Sequence, residues 1–216
     1  MKHIVFLTAL LSSFCTIHAA ERLCACEDFS RLDPGTYPRS TTSVWDIREE
    51  NGIHFRRLEN GGDVLDGWNF IDKQKRNYVL HIRFRILNEK NFGKLTFEFH
   101  CTPLKDGSKR GEMRNSLILN GSQLFFSAFK TKAFMTGKDT LPPASSSEIR
   151  PTLQQGVWYD LFLRVQGSRF SALLKEKDAV KGSLEAETLG ESGTFGMRSE
   201  GGIDIALIES YAVTPD

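Results

Sequence analysis

The chain has 216 residues, of which 40% are hydrophobic and 25% are charged, and its formal net charge at pH 7 is +1. A nearly neutral chain gives no reason to expect nucleic acid or an anionic membrane surface as a partner. Its length and apolar content suit one domain, and all-β domains commonly reach this size as a single unit.

The first part of the chain, residues 1–20, has the pattern of a secretory signal peptide. It begins with the basic Lys2, continues with an apolar run at 4–11 and ends with the small residues Ala19 and Ala20. We expect cleavage after one of these alanines and export to the periplasm or the extracellular space. The exported chain keeps 27 basic and 27 acidic residues and is therefore neutral.

A lipid anchor is the alternative, because Leu23-Cys24-Ala25-Cys26 loosely resembles a lipoprotein cleavage box. Two charged residues separate this box from the apolar run, which favours the signal peptide. No later segment approaches the roughly 20 apolar residues that cross a bilayer. We therefore expect residues 21–216 to form one exported domain without a membrane span.

Three cysteines, Cys24, Cys26 and Cys101, remain after cleavage. In an oxidising compartment one of the N-terminal pair can form a disulfide bond with Cys101, which leaves one thiol over. The N-terminal pair lacks the zinc-binding C-x-x-C spacing and a second pair to complete a site. We expect no cofactor. Calcium stays open as an alternative, but no Asp-rich loop identifies a site for it.

Short segments with alternating apolar residues follow one another along the chain, and helical periodicity is nearly absent. The clearest segments are 44–48, 53–58, 68–72, 77–86 and 94–101. About ten to twelve such strands, with turn signals in most gaps, predict a β-sandwich.

Turn signals divide the second half of the chain. Asn120-Gly121 and Gly167-Ser168 each lie between two apolar runs and predict tight hairpins. Residues 130–152 contain Pro142-Pro143 and a serine run, and they predict a long insertion without regular structure. This insertion is either a lid or specificity loop over one edge of the sandwich, or a mobile surface segment.

Segment 77–86, NYVLHIRFRI, alternates two kinds of side chain. Its apolar set is Leu80, Ile82, Phe84 and Ile86, and its polar set is His81, Arg83 and Arg85. A strand turns such sets to opposite faces, so the apolar set is predicted to face the core. Two interpretations of the polar set stay open: a solvated face with ordinary ion pairs, or a ligand platform.

The order of several residues and segments resembles a known superfamily. The series is Asp28-Phe29, the Trp45 strand, YVLHIRFRI, Asn91-Phe92-Gly93, Gly111-Glu112, GVWYDLFLRVQG and GTFGMRSEGGIDIALIESYAV. It resembles the concanavalin A-like lectin/glucanase superfamily over residues 28–213, and within it the 3-keto-disaccharide hydrolase domain of exported bacterial proteins. The resemblance implies a jelly roll of two curved antiparallel sheets, with sugar bound in the groove of the concave sheet.

Some motifs of that superfamily are only partly present. Related laminarinase-type hydrolases place ExDxxE on the strand of GEMRNSL, and here Glu112 is the only acidic position of the three. Arg114 and Leu117 stand at the other two. A laminarinase-type double displacement on this strand is therefore not expected.

Another set of polar side chains can serve a hydrolase. Glycoside hydrolysis needs two carboxyl groups, about 5–5.5 Å apart for retention and about 6.5–9.5 Å for inversion. Glu98 and His100 alternate against apolar residues on one strand, and Glu112 and Arg114 on the next. If these strands are neighbours, as the resemblance implies, the four side chains converge. Glu112 with Glu98 or His100 is then the predicted acid/base pair, and Arg114 a predicted substrate ligand.

The polar set His81, Arg83 and Arg85 is predicted to extend the same surface, and Trp68, in a turn, to stack on a sugar ring. Trp158 is expected in the core. Three functions follow: a hydrolase of a small disaccharide or oligosaccharide such as a 3-keto disaccharide, a non-catalytic carbohydrate-binding module, and a structural or partner-binding sandwich. The oligomeric state is not predicted.

Overall fold

The computed structural model describes residues 21–38, 44–64, 77–103, 112–130, 144–190 and 194–213. In these residues the backbone forms fifteen strands and no helix. The strands are β1 Glu21–Glu27, β2 Gly35–Pro38, β3 Val44–Glu50, β4 Ile53–Leu58, β5 Gly61–Asp63, β6 Asn77–Ile86, β7 Lys94–Pro103, β8 Glu112–Leu119, β9 Gln123–Lys130, β10 Ser145–Glu148, β11 Tyr159–Gln166, β12 Arg169–Glu176, β13 Ala179–Glu187, β14 Thr194–Glu200 and β15 Ile203–Val213. Within these ranges, no helix is present that is long and apolar enough to cross a membrane.

The strands form two antiparallel sheets. The larger sheet has nine strands, in the order β13-β12-β11-β6-β15-β4-β3-β2, with β1 also paired to β15. The smaller sheet has six strands, in the order β10-β9-β8-β7-β14-β5. This arrangement confirms the all-β sandwich that the strand pattern predicted.

One apolar core lies between the two sheets. The predicted inward set of β6, exemplified by Leu80, Ile82 and Phe84, is fully buried. In the core it joins residues of the smaller sheet such as Leu95 and Phe97. Burying a side chain of this size stabilises the fold by about 1.5–3 kcal/mol, so the alternation in the sequence directly specifies which face of each strand is inside.

The longer predicted strands agree closely with the structure, but the described residues form fifteen strands rather than the ten to twelve predicted, because short strands such as β2 and β5 have too few residues to show alternation. Segments 53–58 and 77–86 are strands with those bounds, and 94–101 is extended by two residues. Segment 68–72 lies outside the described residues. The predicted insertion 130–152 contains β10, paired with β9, so part of it has regular structure; its residues 131–143 are not described.

Both predicted hairpins are present. β8 and β9 are joined at Asn120-Gly121, where Asn120 Oδ1 accepts hydrogen bonds from the backbone N–H groups of Ser122 at 3.0 Å and Gln123 at 2.7 Å. Side-chain capping of this kind satisfies turn donors that the ladder leaves open. β11 and β12 are joined at Gly167, whose positive φ of 58° favours glycine.

The chain crosses from one sheet to the other at Gly201-Gly202. β14 belongs to the six-stranded sheet and β15 to the nine-stranded sheet. A Cβ at Gly201 would lie 2.4 Å from the carbonyl oxygen of Asn91, and one at Gly202 would lie 2.6 Å from that of Glu59. Only glycine permits this close backbone approach, which explains why both positions are occupied by glycine.

Candidate functional site

The two sheets divide the predicted site residues between two surfaces. β6 belongs to the nine-stranded sheet, whereas β7 and β8 belong to the six-stranded sheet. Their outward side chains therefore lie on opposite sides of the sandwich, and the prediction that His81, Arg83 and Arg85 extend the surface of Glu98 and Arg114 is wrong. Alternation determines the face of a strand that a residue occupies, but it does not determine the sheet that the strand joins.

On the six-stranded sheet, β7 and β8 are neighbours, as the resemblance implied. Arg114 Nη1 lies 3.0 Å from Glu98 Oε1, and both side chains are about one-third exposed. The Arg114 guanidinium also lies 5.1 Å from the ring centroid of Phe129, which is 44% exposed. A carboxylate, a cation and an aromatic ring thus meet on a partly solvated face.

A row of residues that are small except for Glu98 crosses this face at the ion pair. The register places Gly196, Glu98, Ser116 and Ser127 side by side on β14, β7, β8 and β9. A Cβ at Gly196 would meet nothing within 4 Å, so space is open beside Glu98.

Longer side chains border this row on both sides. Two positions from Ser116 in one direction along β8, Arg114 is opposite Phe129 of β9. Two positions in the other direction, Ile118 is opposite Phe125. On β8 and β9 the short Ser116 and Ser127 therefore lie between two pairs of longer residues, from which we infer a shallow groove across these strands. We call Gly196, Glu98, Ser116, Ser127, Arg114 and Phe129 the groove residues.

The other predicted catalytic residues are placed only by their backbone. Glu112 is opposite Pro103 in the register, four residues from Ser116 and therefore roughly 13 Å along the strand. His100 lies in the irregular stretch of β7 between Phe99 and Thr102. The side chains of Glu112 and His100 lie outside the described part of the structure. Their roles stay predictions, as does that of Trp68, which lies in the undescribed range 65–76.

The outer face of the nine-stranded sheet contains a histidine between two carboxylates. His81 Nδ1 lies 2.9 Å from Glu209 Oε2, and its Nε2 lies 2.8 Å from Asp160 Oδ1. Phe162 stacks on the imidazole with centroids 4.3 Å apart and planes inclined by 9°. Because each carboxylate can only accept a hydrogen bond, both ring nitrogens must carry protons, as in the imidazolium form.

The pKa of His81 reflects opposing influences. Burial of the ring is the largest influence and disfavours the charged form, but hydrogen bonds to Asp160 and Glu209 together outweigh it and raise the pKa above 6.5. The hydrogen bond from His81 is also the main cause that lowers the pKa of Glu209 below 4.5. Both shifts favour the ionised forms of His81 and Glu209.

A second charged cluster lies farther along the same face. Asp204 is fully buried and accepts two hydrogen bonds from Arg57, at 2.7 and 2.8 Å, and one from Arg85 at 2.8 Å. Arg85 also pairs with Glu50. A buried carboxylate with this many donors is fully compensated, so the cluster is a structural element of the sheet.

Trp158 was expected in the core, and this prediction is wrong. The residue covers the second charged cluster on the outer face of the sheet. It is partly exposed, and its ring lies 4.7 Å from the Arg85 guanidinium and 5.9 Å from the Phe55 ring. The alternation that buries Tyr159, Leu161 and Leu163 continues one residue before the start of β11 and therefore places Trp158 on the opposite face.

Sequence reasoning missed Asp160, Glu209 and Asp204. The alternation of β11 does assign Asp160 to its polar face. However, its meeting with His81 depends on β11 and β6 being neighbours, and β6 is also the neighbour of β15. Since these strands are far apart in the chain, no local pattern indicates their pairing.

The thiol of Cys26 belongs to the edge of the first cluster. Its Sγ donates to Glu209 Oε1 at 3.7 Å, and burial together with the Glu209 charge raises its pKa to about 11. Cys26 is a protonated thiol and is not bonded to another described cysteine. The Cys101 side chain is not described, so the disulfide bond between an N-terminal cysteine and Cys101 stays a prediction. Within the described ranges, no group of three or more His, Cys, Asp or Glu side chains is arranged to hold a metal ion.

Neither a protein-family model nor a curated protein matches the sequence. Solved structures do match the fold. The exoplasmic/lumenal domain of VIP36, in its Ca2+/Man2-bound form, is similar over 80% of this chain and 82% of its own, with 13% identity and a TM-score of 0.50.

Two further solved structures are similar at lower scores. The CBM2 module of the evolved Dit of Lactobacillus casei BL23 phage J-1 is matched over 91% of this chain and 98% of its own, with 13% identity and a TM-score of 0.47. A GlcNAcα1-4Gal-releasing endo-β-galactosidase from Clostridium perfringens is matched over 89% of this chain and 63% of its own, with 10% identity and a TM-score of 0.48. The two antiparallel sheets and the likeness to VIP36 show the concanavalin A-like jelly-roll fold that the resemblance implied.

Proposed function

We propose that the protein is exported and binds a small saccharide across the outer face of its six-stranded sheet. The observation that carries this proposal is the row of small residues at Glu98, bordered by Arg114 and the exposed ring of Phe129. A sugar ring has an apolar C–H face, which packs on an aromatic ring, and a rim of hydroxyl groups. The carboxylate accepts from these hydroxyls and the guanidinium donates to them.

Two further observations support the proposal. Residues 1–20 have the pattern of a signal peptide, which fits export. The VIP36 domain of similar fold is described with Ca2+ and Man2 bound. Calcium is therefore included as a candidate cofactor of sugar binding, although no described residues form a site for it.

Calorimetry against a panel of mono- and disaccharides, with and without calcium, tests this proposal. We expect Phe129→Ala to weaken binding of the recognised sugar by about tenfold, which corresponds to about 1.4 kcal/mol. Leu23→Ala is the matched control, because among the described residues Leu23 is the other large hydrophobic one with high exposure, 50%, and it lies on the nine-stranded sheet. Equal affinities of the two variants, or no binding by the wild type, would contradict the proposal.

Hydrolysis of a small disaccharide, such as a 3-keto disaccharide, is the finer version of the proposal. Glu98 is the base or nucleophile candidate, because its carboxylate lies beside the open space of the groove and accepts a hydrogen bond from Arg114. Glu112 is the acid candidate, and its distance along β8 favours the wider spacing of an inverting enzyme, about 6.5–9.5 Å, over the retaining one.

Product formation separates an enzyme from a binding module. We expect Glu98→Gln and Glu112→Gln each to abolish turnover while the circular dichroism spectrum stays unchanged. Saturable binding of the intact sugar without product would leave the binding module as the function. Full turnover in Glu112→Gln would remove that residue from the mechanism.

A further inference from the structure

Arg198 borders the open space of the groove on β14. It lies two residues after Gly196 on the same strand, so both residues are on the outer face, and the Arg198 side chain is exposed. The space at Gly196 is open, since a Cβ there would meet nothing within 4 Å. A guanidinium at this border can donate hydrogen bonds to a ligand that lies over Gly196.

The other described charges of the six-stranded sheet are used in ion pairs. These pairs are Lys94 with Glu200, Arg114 with Glu98, and Arg150, just after β10, with Glu148. Arg198 has no ion pair and no side-chain hydrogen bond with any residue that the structure describes. Its positive charge is therefore not compensated by the described part of this sheet.

Glu98 lies between two arginines at equivalent positions. In the register it is opposite Ser116 on β8 and Gly196 on β14, and Arg114 and Arg198 are each two residues from these partners, in opposite directions. Arg114 donates to the Glu98 carboxylate at 3.0 Å. The groove carboxylate thus neutralises one of its two neighbouring cations, and the described side chains around it have an excess positive charge.

The width of the groove determines how long a ligand must be to use both of its ends. Phe129 is on β9 and Arg198 is on β14, which are separated by three strand spacings, or about 14 Å. One sugar ring packed on Phe129 is too far from Arg198 to contact it. A second ring, over β7 and β14, can supply the acceptor for the guanidinium.

We propose that the ligand of the groove is an acidic saccharide of at least two rings, with one ring on Phe129 and the carboxylate of another ring at Arg198. This inference rests on the proposed function, because the ligand occupies the same groove. Arginine suits this role, since its planar guanidinium forms two parallel hydrogen bonds with a carboxylate.

Calorimetry with pairs of disaccharides tests the ligand class. The neutral members are cellobiose, lactose, maltose and mannobiose, and each is compared with the uronic acid in which C6 of the non-reducing ring is a carboxylate. We expect the acid of the recognised pair to bind about fivefold more tightly than the neutral sugar, as for a partly exposed ion pair. This preference should shrink as the salt concentration rises, because salt screens exposed charges.

Three variants assign the preference to a residue. Arg198→Gln should remove the preference for the acid and leave the affinity for the neutral sugar unchanged. Arg169→Gln is the matched control and should keep the preference, since Arg169 is an exposed strand arginine without a described ion pair on the nine-stranded sheet. Phe129→Ala should weaken both members of the pair by the same factor, because both pack one ring on Phe129.

The outcomes separate this inference from the proposed function. Equal affinities for the acid and the neutral sugar would overturn the inference and leave the proposed function standing, whereas no binding of any pair would overturn both. A preference that persists in Arg198→Gln would also overturn the inference.

Asp63 provides a final check, because it is opposite Arg198 in the register between β14 and β5. Its side chain lies outside the described part of the structure. We expect Asp63→Asn to keep the preference of the wild type for the acid. A preference that appears only in Asp63→Asn would show that Asp63 neutralises Arg198 in the wild type, which would contradict the inference.

Discussion

The two outer faces of the sandwich use charged residues differently. On the nine-stranded sheet, Asp204 is fully buried and forms ion pairs with two arginines. The His81 side chain is only 15% exposed and lies between the carboxylates of Asp160 and Glu209. On the six-stranded sheet, Glu98 and Arg114 form a partly solvated pair beside the exposed Phe129. A high density of charge is therefore not by itself a sign of a ligand-binding face. Groups that satisfy one another stabilise the sheet, whereas partly solvated groups beside open space are available to a ligand.

The largest expected effect tests the structural role of the nine-stranded face. Replacing Asp204 by Ala leaves Arg57 and Arg85 without their common carboxylate in a buried setting. Removing one partner of a buried ion pair commonly costs about 3–5 kcal/mol of unfolding free energy. Urea denaturation of the wild type and the variant measures this loss.

The matched control for that variant is Glu50→Gln, which removes a half-exposed partner of Arg85. Exposed ion pairs contribute about 0–1 kcal/mol, so little change is expected. Equal stabilities of the Asp204 and Glu50 variants would show that burial does not distinguish the two carboxylates.

A smaller effect concerns the pH dependence of this face. His81→Gln is expected to lower the unfolding free energy near pH 6 by about 1–3 kcal/mol, because two carboxylates lose a charged donor.

The sign of the pH dependence follows from the two pKa shifts. The pKa of His81 is raised, so its contribution is present below about pH 6.5 and is lost as the pH rises through the folded pKa. The pKa of Glu209 is lowered, so its contribution is present above about pH 4.5 and is lost on acidification. Denaturation curves at several pH values measure this, and an identical pH profile in His81→Gln would contradict the assignment.

The six-stranded face is expected to respond little in stability. Glu98→Gln removes an ion pair whose two side chains are more than one-third exposed, so a loss of about 0–1 kcal/mol is expected. The same variant should weaken sugar binding clearly in calorimetry. A stability loss as large as that of Asp204→Ala would show that this pair is structural as well.

The smallest stability effect is expected at Gly196. A Cβ there meets no atom within 4 Å, so Gly196→Ala should change stability by no more than about 0.5 kcal/mol. It should nevertheless weaken sugar binding, because the methyl group enters the open space beside Glu98. Gly121→Ala is the control, since its Cβ also meets nothing and it lies at the tip of the β8–β9 hairpin. Equal affinities of the two variants would remove the row of small residues from the site.

Local patterns predicted part of the candidate site and missed the rest for a physical reason. Glu98 and Arg114 were found because they alternate with apolar residues on successive strands, which the resemblance implied to be neighbours, and successive strands commonly are. The role of Phe129 was not predicted, because the sequence does not show that its ring lies next to Arg114 on an exposed face. The His81 cluster joins residues 128 positions apart in the chain, which no alternation can indicate.

The sequence by itself determined the strands, their turns and the face of each strand that is buried. These features follow from interactions within a few residues, as in the alternation of β6 and the Asn120-Gly121 hairpin. Only the tertiary structure decided which strands are neighbours and which sheet each one joins, and therefore that Arg83 and Glu98 lie on opposite faces. Strand order depends on packing two whole sheets around one core, and that free energy belongs to the assembled sandwich rather than to any single segment.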